Sequence, residues 1–170
     1  MKKMLTIKGK SQFDDDVDKF IQRSACGPVT AFVMLDYLFP ETSPLTVNAL
    51  YRLLGGTRIG LLKTCFIKNM RKLLGPKWVV ATCTIDEVFR QIEENRPVAA
   101  KFDKKLNFRW LGKYDFDYHW VPVIGFEKTR DDILLIIHDN GGPNRESQVR
   151  SISYKKNQTI LSFVKIEPIE

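Results

Sequence analysis

Ala25-Cys26-Gly27-Pro28-Val29-Thr30-Ala31-Phe32-Val33-Met34-Leu35-Asp36-Tyr37-Leu38 is the stretch on which the fold and the chemistry turn. Residues 27–38 read as a helix. Pro28 sits in the first turn, where its missing N–H removes no bond, and Val29, Phe32, Val33 and Tyr37 recur at helical spacing. Pro40 follows the end. Cys26 therefore stands at a helix N-terminus. There the helix dipole favours a thiolate and would draw the pKa from ~8.5 toward neutrality. Gly27 leaves room for a carbonyl group, and the Cys26 N–H can face a developing oxyanion.

Further along, Val47, Leu50, Tyr51 and Leu54 form a second helical stripe, stopped by Gly55-Gly56. Leu62, Cys65, Phe66, Met70, Leu73 and Leu74 form a third, closed by Gly75-Pro76. Thr84-Ile85-Asp86-Glu87 is a capping-box pattern whose helix runs to about Asn95. After Pro97 the texture changes. Val98–Phe102, Trp120–Phe126 and Ile133–His138 are short β-branched runs between turn residues, as buried strands are. Ser151–Tyr154 and Thr159–Lys165 read as a final hairpin around Lys156-Asn157-Gln158, and the charged stretch Lys101–Lys113 reads as a loop. Helices followed by strands predict an α+β fold, with N-terminal helices packed on a C-terminal antiparallel sheet.

The 170 residues suit one domain, 1–170. With 44% hydrophobic and 28% charged residues, composition excludes a disordered tail, a collagen-like repeat and a coiled coil. A chain of this size buries roughly 70% of its unfolded surface, so it needs no metal or disulfide staple. Three cysteines, Cys26, Cys65 and Cys83, exclude a complete disulfide framework, and without a CxxC they match no zinc pattern. No cofactor or metal is expected. The start lacks the apolar run of a secretory signal, and no stretch reaches the ~20 apolar residues of a membrane span, which reads as a cytoplasmic protein with no membrane contact.

A nucleophilic thiol needs a base. His119 opens the strand His119-Trp120-Val121-Pro122-Val123-Ile124-Gly125. If that strand and Ile133–Ile137 pair as a hairpin around Thr129-Arg130-Asp131-Asp132, their outer ends bring Asp139 toward His119, where a carboxylate would orient the imidazole. His138, adjacent on the same strand, would point to the other face. Cys65 and Cys83 read as packing residues.

Four landmarks carry a family resemblance. They are Gln22…Ser24-Ala25-Cys26-Gly27-Pro28 leading a helix, Arg96-Pro97-Val98 after a capped helix, His119…Val123-Ile124-Gly125-Phe126, and Ile137-His138-Asp139. In this order, over about Ile21 to Gly142, they resemble the papain-like cysteine peptidases of the bacteriocin-processing (double-glycine) type. The resemblance implies a papain-like fold with Cys26 as nucleophile, His119 as base and Asp139 as its orienter. It also implies a glutamine whose amide binds the oxyanion. Gln22 is the candidate, four positions before Cys26 and nearer to it than the family's usual spacing. The transporter segments of bacteriocin exporters are absent from the sequence, so leader processing coupled to export is not implied.

The expected activity is thiol hydrolysis of a peptide or amide bond. The alternatives are acyl transfer on the same fold, or an inactive basic module binding single-stranded nucleic acid or an acidic partner. The last rests on a net charge of +7 and on the basic, aromatic run Lys101–Trp110. No nucleic-acid motif accompanies that run, so nucleic acid is not the expected partner. The sequence leaves the oligomeric state open.

Overall fold

The computed structural model describes residues 1–42, 45–109 and 111–169. Among them lie seven strands: β1 (Lys2–Met4), β2 (Trp78–Cys83), β3 (Val98–Asp103), β4 (Tyr118–Lys128), β5 (Ile133–His138), β6 (Val149–Ser153) and β7 (Leu161–Pro168). Five α-helices accompany them: α1 (Cys26–Leu38), α2 (Val47–Leu54), α3 (Lys63–Leu74), α4 (Ile85–Glu93) and the single turn α5 (Tyr154–Asn157). The strands form one antiparallel sheet in the order β2-β7-β3-β4-β5-β6, with β1 paired to β4. This is the α+β class that the helix-then-strand texture predicts.

Alternation along the central strands divides the core. Ala99, Trp120, Val164 and Ile166 pack with Cys26, Ala31 and Met34 of α1 and with Leu50, Leu54, Phe66 and Met70 of α2 and α3. Val98, Ala100, Phe102, Val121, Val123 and Phe163 pack with Val88, Phe89 and Ile92 of α4. One face of β4 thus receives the helix that opens with Cys26.

Three expectations need correction. The change of texture at Pro97 does not part all helices from all strands, because β1 and β2 come from the first half; β2 adds to the sheet edge along β7. The final hairpin does not form. Ser153 caps α5 by accepting the Lys156 N–H at 3.0 Å, and buried Asn157 donates to the Ser153 carbonyl at 2.7 Å. That turn sends the chain away from β6, and β7 inserts between β2 and β3. The Lys101–Lys113 loop is also shorter than expected, since Lys101–Asp103 finish β3 and all three residues are buried. Trp110 lies outside the described residues. No helix among the described residues is long and apolar enough to cross a membrane.

Candidate active site

Cys26 is the first residue of α1, and it is 4% exposed. Its carbonyl accepts the Thr30 hydroxyl at 2.8 Å and the Asn140 side-chain amide at 3.1 Å. Burial pushes the Cys26 thiol up to about 11, although the nearby backbone N–H groups of Trp120, Gly27 and Cys26 and the charge of Lys101 favour the anion. The helix terminus acts in the expected direction. Desolvation outweighs it, so the resting group is a thiol.

The burial comes from far along the chain. Leu61, fully buried, lies against Gly27, where a Cβ would come within 2.8 Å of its Cδ2. Trp120 Nε1 donates to the Leu61 carbonyl at 3.0 Å, and the Leu61 N–H donates to the Tyr118 hydroxyl at 3.0 Å. Gly60 makes that approach possible: its φ is +112°, and a Cβ there would meet the Tyr118 hydroxyl at 2.1 Å. The segment ending in Leu61 clamps the start of α1 onto the start of β4.

His119 lies directly beside this clamp in sequence, since Tyr118 and Trp120 flank it. It pairs with Phe102 across β3 and β4 and packs on the Phe116 ring, with 4.7 Å between ring centres. Burial lowers its pKa to about 4; Asp139 opposes the shift and Arg150 adds to it. Among the described residues no hydrogen bond reaches the imidazole. The hairpin forms as the sequence suggests, with the Thr129 N–H on the Asp132 carbonyl at 3.0 Å, and Asp139 follows the end of β5. Asp139 is 2% exposed. Both its oxygens accept from Arg145 Nη1, at 2.9 and 3.0 Å, and the Gly141 N–H donates at 3.0 Å. Burial alone would raise its pKa, but Arg145 and these N–H groups hold it below the usual carboxylate range.

The segments that carry Cys26, His119 and Asp139 are tied together by Asn140, the residue after Asp139. Asn140 Nδ2 bridges the Trp120 carbonyl at 2.6 Å to the Cys26 carbonyl. Gln22 belongs to a short 3-10 turn, and its amide donates to the Val17 carbonyl at 3.2 Å. A second glutamine, which the sequence reading passed over, lies closer to this network. Gln12 is buried, its N–H donates to the Asn140 carbonyl at 3.0 Å, and its Nε2 donates to the Gln22 carbonyl at 2.7 Å. Its position fourteen residues before Cys26 carries no local signal. His138 is buried against Gly9.

A buried helix presenting a cysteine to an antiparallel sheet, with a histidine on one strand and an aspartate just past the end of the adjoining one, is the architecture of the papain-like cysteine peptidases. The chain belongs to the Peptidase_C39 like family, whose profile it matches over residues 4–167. Two of the solved structures that resemble it illustrate the likeness. One, described as a C39-like peptidase from Bacillus anthracis, is 13% identical with a TM-score of 0.66, and the match covers 100% of both chains. The other is the peptidase domain of Streptococcus ComA, a bifunctional ABC transporter involved in quorum sensing. It is 16% identical, with a TM-score of 0.56 over 86% of this chain and 93% of that one. At such identities the likeness establishes the fold. No curated protein matches the chain.

Proposed function

We propose that the protein is a papain-like thiol hydrolase cleaving a peptide or amide bond, with Cys26 as nucleophile, His119 as base and Asp139 as the orienting carboxylate. The observation that carries this reading is the seat of Cys26: first residue of α1, its carbonyl tied through the Asn140 amide to the carbonyl of Trp120, the residue after His119. Family membership supports the same reaction class.

Thiol and imidazole both rest neutral here, so the proton moves as the sulfur attacks. The Cys26 S–H proton passes to His119 while sulfur bonds the carbonyl carbon and the carbonyl oxygen becomes an oxyanion. Collapse of the tetrahedral species breaks the C–N bond, and His119 gives its proton to the leaving amine. Water then attacks the thioester, releasing the acid and restoring the thiol. The Cys26 N–H would bind the oxyanion, with a glutamine amide as second donor. Gln22 and Gln12 compete for that role, and the bond between Gln12 and the Asn140 backbone favours Gln12. Removing the true donor should lower turnover by roughly 100- to 1000-fold, and removing the other should leave it nearly unchanged.

The deep burial of Cys26 under Leu61 supports a second reading, a closed domain that binds peptides without cleaving them. A peptidyl thiol-reactive probe applied to the whole protein separates the two. Labelling that disappears in Cys26→Ala and drops sharply in His119→Ala is expected of the hydrolase. Labelling spread over all three cysteines only in denaturant would remove it. Adding an amine acceptor to the same assay distinguishes hydrolysis from acyl transfer by the product formed.

A further inference from the structure

We propose that the pocket between the start of α3 and the end of β3 is a specificity pocket for an acidic side chain of the bound peptide, with Lys101 as the residue that reads it; this rests on the thiol-hydrolase reading. Lys63, Thr64, Lys101, Asp103, Asn107 and Ser162 are among the residues lining the pocket, which encloses about 210 Å³. That volume suits a single side chain.

Lys101 is 3% exposed, an unusual position for an ammonium group, which is strongly hydrated in water. Its Nζ makes an ion pair with Asp103 Oδ2 at 2.9 Å. Asp103 Oδ1 is occupied by the Leu106 N–H at 3.0 Å. An ammonium carries three donors, and among the described residues the other groups placed around this one are the Tyr118 and Trp120 rings, with centres 5.3 and 5.8 Å away. Those faces stabilise a cation without accepting a directed hydrogen bond. A carboxylate entering the pocket would meet spare Lys101 donors, with Thr64, Asn107 and Ser162 along the wall. Two lysines, Lys63 and Lys101, face one carboxylate, Asp103, so the wall carries one net positive charge. That balance favours an acid over an amide and disfavours a lysine.

The pocket adjoins the reacting centre. Lys101 pairs with Trp120 across β3 and β4, and Trp120 packs with Cys26 in one core cluster. A peptide lying over Cys26 would pass the pocket mouth.

The test is binding, read on the full chain carrying Cys26→Ala. Acetylated, amidated tetra-alanine peptides with one Glu, Gln or Lys at each position in turn are titrated and followed by two-dimensional NMR. One Glu peptide should bind roughly tenfold more tightly than its Gln counterpart, as expected for a charge-assisted contact, and should shift the amides of Thr64, Asn107 and Ser162. The double variant Lys101→Met/Asp103→Leu, which leaves no buried charge unpaired, should bind Glu and Gln peptides equally. Lys63→Gln, at the half-buried rim, should weaken the Glu peptide severalfold and keeps the test usable if the double variant fails to fold. Equal affinities of the Glu and Gln peptides, or shifts that avoid the pocket, would overturn the proposal. The readout needs no turnover, so a wild-type protein that never cleaves peptide would defeat the hydrolase reading while leaving this result legible.

Discussion

Two opposing fields act on the Cys26 sulfur. N–H groups at the head of α1 favour the anion, while burial under Leu61 disfavours it more strongly. With the thiol pushed up to about 11, only about one molecule in ten thousand holds a thiolate at pH 7. Iodoacetamide should therefore label Cys26 on the order of 100-fold more slowly than a free thiol at pH 7, accelerating about tenfold per pH unit up to pH 10. A plateau of fast labelling below pH 7 would instead indicate a thiolate–imidazolium pair. Rates followed by mass spectrometry decide between them. His119 makes a second residue-scale prediction. Its folded pKa of about 4 lies below the unfolded value near 6.5, so the unfolded chain binds the extra proton between them. The neutral imidazole contributes its full stability above pH 6.5, and this is lost as pH falls toward 4. The loss is at most on the order of 3 kcal/mol, reduced by partial exposure. Urea midpoints at pH 7 and pH 4.5 should differ less in His119→Gln than in wild type. The candidate residues were legible in the sequence, but their protonation states were not, because desolvation is set by side chains far away in the chain.

Elements with strong local signals formed where the sequence places them. The capping box at Thr84 is complete, with Thr84 and Glu87 bonding each other's backbone N–H. Thr84→Ala should cost about 1 kcal/mol in denaturant melts, while leaving Cys26 labelling unchanged because α4 packs on the other half of the core. The clamp behaves differently. Gly60→Ala would force a methyl into the Tyr118 hydroxyl at a backbone conformation that disfavours side chains. The expected result is a loss of about 1–3 kcal/mol and faster Cys26 labelling at pH 7, as Leu61 lifts from Gly27. Unchanged labelling would show that the segment does not set the burial of the thiol. The failed hairpin belongs to this scale as well. Lys156-Asn157 suits a turn in any context, and only the burial of Asn157 against Asp115, with Nδ2 donating at 2.5 Å, selects a helical turn that redirects the strand.

Across the whole molecule, the last strand joins the first half to the second. β7 takes β2 on one side and β3 on the other, and it buries Phe163, Val164 and Ile166. A chain ending at Thr159 would lose that strand and leave two edges open in the middle of the sheet. It should lack a cooperative thermal transition and near-ultraviolet circular dichroism; a sharp melt would show that β7 is dispensable. Helices α1 to α4, the three central strands and the candidate site residues follow from short-range properties: periodicity, caps, proline and glycine stops, and a cysteine at a helix start. Those properties are local, so the sequence determined them by itself. Strand order, the insertion of β7, the approach of Gln12 and the Leu61 clamp bring together residues far apart in the chain. Their stability comes from apolar burial summed over both core clusters, and a local stretch of sequence carries no record of that sum. Tertiary structure alone decided them, and with them whether the Cys26 sulfur meets water or Leu61.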